Sequence, residues 1–153
     1  MKKVLSVLTV LTCLLLFGCG AAPKLRTIVN SFSIEADFET VWVAVIETFS
    51  DMQFPIDNME KDSGLITTDW ISFPDRYADC GKLGILDTAL ETNGKFNAFL
   101  KRVTENSCEL RVNCSFQLTY TAYGSEREHR KGCVSTGEWE ADFYKLILSK
   151  IDR

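Results

Sequence analysis

The residues of this chain that could carry chemistry are its cysteines and its histidine. Six cysteines and one histidine occur among the 153 residues. His129 lies in the polar run 126–131, which is typical of a solvated turn, and any Ser–His–Asp or Cys–His site would have to use it. The sequence contains no Gly-x-Ser-x-Gly elbow, no Cys-x-x-Cys pair and no zinc-ligand spacing. We therefore predict a protein that is not an enzyme and that has no catalytic residues, metal or cofactor.

The first nineteen residues form a segment of their own. Lys2 and Lys3 give it a positive start, residues 4–17 are mostly apolar, and Gly18 and Cys19 close it. This pattern resembles the signal peptide of bacterial lipoproteins. The resemblance implies a signal peptide over residues 1–18, cleavage after Gly18, and a diacylglyceryl thioether on Cys19 with further acylation of the new amino group.

Two other interpretations of this segment compete with a lipid anchor. A retained membrane span needs ~20 apolar residues, and residues 4–17 supply fewer. An ordinary secretory peptide would share the charged and apolar parts, so Gly18 and Cys19 favour acylation. Two or three acyl chains on one residue anchor a protein stably to a membrane. In lipoproteins of this kind the absence of Asp at the next position, here Gly20, implies the outer membrane, with the protein facing the periplasm.

Composition limits what the mature chain can bind. Removal of residues 1–18 leaves 15 basic and 21 acidic side chains, a formal net charge of −6. This balance argues against a nucleic-acid partner. Residues 19–26 read as a short lipidated tether, and residues 27–153 suffice for a single domain.

Four cysteines remain in the mature domain, and an oxidising compartment allows them to form disulfides. Cys108 and Cys114 are six residues apart in one predicted strand, which separates them by about 20 Å at strand rise. The α-carbons of a disulfide lie within about 7 Å of each other, so these two cysteines cannot bond to each other in an unbroken strand. Cys80 and Cys133 lie beside glycines and polar residues at element edges, so we favour a Cys80–Cys133 disulfide. The competing scheme bonds Cys80 and Cys133 separately to Cys108 and Cys114.

Periodicity indicates the elements that must position these residues. Alternating apolar and polar residues over 108–120 predict a long strand with one face in solvent, as antiparallel sheets allow. Apolar residues at helical spacing predict a helix over 38–52 after Asp37 as N-cap. A second helix is predicted to begin near Ser135, whose spacing to Glu138 fits a capping box. The other predicted strands are 27–34, 56–60, 64–73 and 95–104, with a return strand over 128–134 as an option.

The order β-α-β-β-β-β-α predicts an α+β fold, with a curved antiparallel sheet packed on two helices. Three sequence features accompany this order: Asp37-Phe38 with Val41-Trp42, the run 60–68, and Gly137-Glu138. In these features the mature chain resembles the helix-grip domains of BamC, a lipoprotein of the outer-membrane protein assembly machine, and of related bacterial lipoproteins. The resemblance implies a fold and an envelope protein as partner rather than an activity. BamC has two such domains and a long extension, so its contacts cannot be transferred to this chain.

Aromatic residues near the predicted loop 74–93 are candidates for contact with a partner. Trp70, Phe73 and Tyr77 are the three residues concerned. In the alternative interpretation, to which we give more weight, Trp70 and Phe73 finish a buried strand and Tyr77 packs beneath the loop. Acidic residues of the same region invite a calcium site but lack an EF-hand spacing; they are Asp69, Asp75, Asp79 and Asp87.

Two functions from different classes follow from these observations. The first is a non-catalytic docking or scaffolding role in the periplasm, in outer-membrane assembly or maintenance. The second is a small-molecule or lipid binding module that uses a cavity between the sheet and the helices. Large side chains at the predicted interface argue against such a cavity; they are Phe38, Trp42, Phe49, Phe116, Trp139 and Phe143.

Overall fold

The structure, a computed structural model, describes residues 21–152. In that range it contains an open, eight-stranded antiparallel sheet and two helices, which confirms the predicted α+β class. The predicted signal peptide and Cys19 lie outside the described residues. In chain order the elements are β1 (Ser31–Ile34), α1 (Phe38–Asp51), β2 (Ile56–Glu60), β3 (Leu65–Thr68), β4 (Ile71–Ser72), a 3₁₀ turn (Asp75–Tyr77), β5 (Ala78–Asp79), β6 (Thr88–Thr104), β7 (Ser107–Thr121), β8 (Glu128–Ser135) and α2 (Glu138–Ile151).

A long hairpin of β6 and β7 forms the centre of the sheet. Its two strands pair from Thr88 opposite Thr121 to Thr104 opposite Ser107. Short strands lie end to end along each side of this hairpin, with β3 and β4 on β6, and β1 and β8 on β7. β2 pairs with β3 and β5 pairs with β8, so these two strands lie at opposite edges of the sheet.

The two faces of the hairpin differ as the alternation over 108–120 predicts. Leu110 and Val112 are buried on one face, whereas Arg111 and Asn113 are exposed on the other. On the exposed face the Asn113 amide donates to the side-chain oxygen of Asn97 across the strands at 2.8 Å. The apolar face therefore packs against the helices, and the polar face is left to solvent.

The start of α1 is the one that the sequence predicts. Asp37 is the N-cap, and its carboxylate accepts from the Thr40 backbone N–H at 3.0 Å and from the Thr40 hydroxyl at 2.7 Å. These hydrogen bonds, the side-chain bond first, lower the pKa of Asp37. The cap satisfies a donor that the first turn would otherwise leave unpaired.

The start of α2 differs from the predicted capping box. The N-cap is Gly137, which has a φ of +86° and makes no side-chain cap hydrogen bond. The Ser135 hydroxyl instead donates to Oε2 of Glu140 at 2.9 Å and accepts from the Gly137 N–H. The predicted Ser135–Glu138 pair is therefore wrong, because the chain turns left-handed at Gly137 and brings Glu140 to the serine.

The aromatic cluster between the sheet and the helices fills the core. The Trp139 ring centroid lies 5.1 Å from that of Phe96 and 4.9 Å from that of Phe73. The Phe143 ring on α2 lies 4.9 Å from Phe49 on α1, so the helices contact each other as well as the sheet. Rings at 4.5–7 Å add attraction beyond the area they bury.

Strand boundaries differ from the predictions where the side chains carry little pattern. β6 begins at Thr88 rather than at residue 95, because the backbone of residues 88–94 pairs with the C-terminal part of β7. The side chains of these residues are mostly polar or small, so they give no strand pattern. The predicted strand 64–73 is two short strands, β3 and β4. The optional return strand exists as β8. Neither helix within residues 21–152 has the length and apolar character required to cross a bilayer.

Candidate functional site

The Cys80–Cys133 disulfide joins the loop before β6 to strand β8. β5 pairs with β8 in a register that sets Asp79 opposite Val134, which brings the next residue, Cys80, level with Cys133. The α-carbons of the two cysteines are 4.2 Å apart, and 53 positions separate them in sequence. The structure thus has the predicted pairing. In the chain-entropy treatment, closing a loop of this size stabilises the fold by about 4 kcal/mol.

The other two thiols of the domain are free, so the competing pairing is wrong. Cys108 is buried, and this burial raises the pKa of its thiol. Burial also raises the pKa of Cys114, and the neighbouring Glu140 carboxylate raises it further. Because the thiolate is the reactive form of cysteine, both groups are poor nucleophiles. The disulfide therefore has no activated thiol from Cys108 or Cys114 to exchange with.

Glu140 is a fully buried carboxylate on α2. Its Oε2 accepts from Ser135, while its Oε1 has no hydrogen-bond partner among the described residues. Glu140 lines neither of the clefts described below. Glu140 joins α2 to the end of β8 through Ser135, and the titratable side chain beside it is the Cys114 thiol. Within residues 21–152 Glu140 belongs to no group of three or more potential metal ligands.

The N-terminal tether is held against the loop that follows β5. The Asp79 carboxylate accepts from the Lys24 backbone N–H at 3.2 Å and lies 3.8 Å from the Arg26 guanidinium. The Lys82 backbone N–H donates to the carbonyl oxygen of Ala21 at 2.9 Å. We name this arrangement of residues 21–26 on Asp79, Gly81 and Lys82 the tether clamp.

Gly81 allows the tether to lie this close. Its φ is +65°, and a Cβ built at this position would lie 2.2 Å from the Ala21 carbonyl oxygen and 2.8 Å from Pro23 N. The Gly81 N–H also donates to Asp79 at 2.9 Å, and this bond, followed by the one from Lys24, lowers the pKa of the Asp79 carboxyl. Any larger side chain would push the tether away. The sequence places Asp79 and Gly81 on either side of Cys80, but no local pattern in it indicates that they contact the tether.

The three aromatic residues proposed for partner contact have different environments. Phe73 and Tyr77 are buried, at 8% and 5% exposure, and both rings pack on Trp139. The Arg76 guanidinium covers the Tyr77 ring at 4.4 Å. Trp70 is 44% exposed. Phe73 and Tyr77 are therefore buried, as the alternative interpretation predicts, and are not available to a partner in this structure. That interpretation is wrong for Trp70, which reaches the surface.

Two surface clefts carry charges of both signs. The first, of about 510 Å³, lies beside the disulfide and is lined by Arg26, Asp75, Arg76, Asp79 and Cys80 among others. The second, of about 560 Å³, lies near the start of α1 and includes three cations, namely Lys61, Lys101 and Arg102. Several charged groups in the two clefts already have partners: Asp79 accepts from the Lys24 backbone N–H, Asp75 accepts from the Thr92 hydroxyl at 2.6 Å, and Lys61 pairs with Glu39.

The residues that could hold a metal do not converge. Within residues 21–152 no group of three or more His, Cys, Asp and Glu side chains is arranged around one point. Of the acidic residues considered for calcium, Asp75 and Asp79 have the partners named above, and Asp87 accepts from the Gly84 and Tyr123 N–H groups. The prediction that His129 lies in a solvated turn is wrong, because residues 128–131 pair with β7 as part of β8. The His129 ring lies 5.5 Å from that of Tyr120.

The fold and the candidate site together define a small α+β domain that one disulfide crosslinks and that binds its own N-terminal tether through Asp79, Gly81 and Lys82. No protein-family model matches this chain, and a comparison with curated proteins gives no significant sequence match.

Proposed function

We propose that this chain is a lipid-anchored envelope protein that faces the periplasm and docks another envelope component without catalysing a reaction. Its role would lie in outer-membrane assembly or maintenance. The observation that carries the proposal is the filled interior, where the Trp139, Phe96 and Phe73 rings occupy the space that a ligand would need. The resemblance of the helix starts and of the run 60–68 to helix-grip lipoproteins supports the same class of role.

The cysteines support an envelope location. Gly18 and Cys19 end the apolar segment as in bacterial lipoproteins, and acyl chains on one residue would hold the domain at a membrane. The Cys80–Cys133 disulfide fits an oxidising compartment such as the periplasm. A cytosolic protein rarely keeps such a bond.

The surface around Trp70 is the best candidate for docking. Trp70 lies between β3 and β4, and the adjacent Asp69 N–H donates to the carbonyl of Pro55 at 3.1 Å, just before β2 begins. β2 lies at the edge of the sheet, and its residues 57–60 are exposed. An edge strand offers backbone donors and acceptors to an added strand, and a neighbouring aromatic side chain supplies an apolar contact.

In-cell crosslinking tests the docking role. A photoreactive amino acid replaces Trp70 in one variant and Ser115, which is exposed on the polar face of β7, in a matched control. We expect one envelope protein to be captured at position 70 and not at position 115. Equal capture at both positions, or no capture at position 70, would contradict docking through this surface.

Two mass measurements test the other parts of the proposal. Intact mass of the protein purified from its own host should show acyl chains on Cys19, and an unmodified sulfur there would refute the anchor. Native mass spectrometry of the delipidated protein should show an empty chain. A retained small molecule would instead support the binding module that the aromatic interior argues against.

A further inference from the structure

Four large apolar side chains are exposed together at one end of the long hairpin. Ile85 is 92% exposed, Tyr123 77%, Leu86 61% and Leu90 50%. We name them the end patch. β6 begins and β7 ends here, with Thr88 opposite Thr121, and the Asp87 carboxylate accepts from the Tyr123 backbone N–H at 3.2 Å. That hydrogen bond holds the loop with Ile85 and Leu86 against the turn with Tyr123.

The tether clamp delivers the start of the mature chain to this same end. Ala21 is hydrogen-bonded to Lys82, which is three positions from Ile85. Cys19 precedes Ala21 by two residues, and a fully extended chain of that length spans about 7 Å. A lipid on Cys19 would therefore be attached on the same side of the domain as the end patch, whereas a freely moving tether of residues 19–26 would fix no face of the domain toward the membrane.

We propose that the end patch is a membrane-docking surface that inserts into the phospholipid bilayer to which Cys19 anchors the protein. This inference rests on the proposed lipid anchor. The chemistry fits, because Ile and Leu side chains partition into the acyl region and Tyr favours the boundary between acyl chains and headgroups. Exposed apolar groups that lie together on a soluble domain are a usual mark of a membrane or protein contact.

Docking at this end would fix the orientation of the domain. Val103 lies near the opposite end of β6, thirteen residues from Leu90 and about 40 Å away at strand rise. The cleft lined by Lys61, Lys101 and Arg102 lies toward that far end. With the end patch in the bilayer, this cleft would face away from the membrane into the periplasm.

Depth-dependent fluorescence quenching tests the proposal on the full acylated chain. Tyr123→Trp places a probe in the end patch, and Val103→Trp places a matched probe at the other end of β6, where the native side chain is 60% exposed. Both proteins are reconstituted into phosphatidylethanolamine and phosphatidylglycerol vesicles with brominated acyl chains. The parent chain, with its three tryptophans, gives the background to subtract. We expect the probe at position 123 to be quenched severalfold more than the probe at position 103.

Three results would overturn the proposal. Equal quenching at the two positions would show that the end patch does not insert in preference to the other end of β6, and Ile85→Trp provides a second probe if Tyr123→Trp disturbs the turn. A probe at position 123 that is shielded from aqueous iodide yet not quenched by brominated lipid would indicate a protein on the patch. An unmodified Cys19, seen by intact mass together with loss of vesicle flotation, would refute the anchor itself. The first two results leave the anchor standing, so the two failures are distinguishable.

Discussion

The core beneath the helices and the tether clamp are held together by different kinds of interaction. In the core, the single residue Trp139 has ring contacts with five others, namely Phe54, Phe73, Tyr77, Phe96 and Phe143. In the clamp, one carboxylate and one glycine hold an N-terminal segment without secondary structure, and the adjacent disulfide fixes the loop on which it lies. The core draws its stability from many small apolar contacts, and the clamp from a few specific ones.

This difference predicts how each region fails. A core side chain shares its burial with many neighbours, so its loss destabilises the whole cooperative unit. The disulfide closes a long loop, so its loss acts through the unfolded chain, whereas the clamp positions the tether, so a change in the clamp acts locally. Substitutions in the two regions should therefore differ in the size of their effect on stability and in the measurement that detects the effect.

The largest effect is expected for Phe96→Ala in the core. Phe96 is 2% exposed and stacks between Phe54, Phe73 and Trp139, so its removal leaves a cavity and costs about 3–5 kcal/mol of unfolding free energy. Phe99→Ala is the matched control, since Phe99 lies on the same strand but on the opposite, half-exposed face. It should cost about 1 kcal/mol. Urea denaturation gives the free energy of unfolding of both variants. Equal losses would contradict a core that lies on one face of the hairpin only.

Loss of the disulfide is expected to be the next largest effect. The double variant Cys80→Ser with Cys133→Ser should lose about 4 kcal/mol or somewhat less, because the unfolded chain regains the entropy of the closed loop. Reduction should lower the Tm of the native chain and leave that of the double variant unchanged. Thiol counting in denaturant should find Cys108 and Cys114 free and Cys80 and Cys133 oxidised. A Tm that does not respond to reductant would show that the bond stabilises nothing.

The sequence predicts the core region better than the clamp, for a physical reason. The alternation through Leu110, Val112 and Phe116 indicates directly which face of the strand is buried. The Asp37 cap is also local, because it joins two residues that are three positions apart in sequence. The clamp depends on Gly81 meeting Ala21 sixty residues away, which no local period encodes. For the disulfide, strand geometry excludes only a bond between Cys108 and Cys114 and leaves two pairing schemes open. The glycines and polar residues beside Cys80 and Cys133 favour the scheme that the structure has.

The same contrast explains the aromatic residues and the second helix. Trp70, Phe73 and Tyr77 lie within eight residues of one another, yet only the pairing of β4 with β6 and the 3₁₀ turn decide which rings point inward. Ser135 matches a capping box in sequence, but the positive φ of Gly137 redirects it to Glu140. Local pattern identifies these elements, and tertiary pairing sets the direction of their side chains.

A smaller and more local effect is expected when Gly81 is replaced. Gly81→Ala should cost about 1 kcal/mol for a side chain at positive φ, and its Cβ would displace Ala21 and Pro23. Gly124→Ala is the matched control, because Gly124 has a φ of +73° but nothing lies within 4 Å of its added Cβ. Hydrogen exchange should accelerate at the Lys24 and Lys82 amides in the first variant and not in the second. Similar exchange in both variants would show that the clamp does not depend on Gly81.

The smallest expected effect concerns the charge of Asp37 at the start of α1. Its folded-state pKa lies below the usual 3.8 because the Thr40 hydroxyl and N–H favour the carboxylate. The charge therefore contributes stability above the unfolded pKa, and this contribution is lost as the pH falls through the folded pKa. Asp37→Asn keeps an acceptor for the cap but does not titrate. The Tm of the native chain should exceed that of Asp37→Asn near pH 6, and the difference should vanish at a pH below the folded pKa. A difference that stays constant down to that pH would assign the effect to packing or geometry rather than to the charge of Asp37.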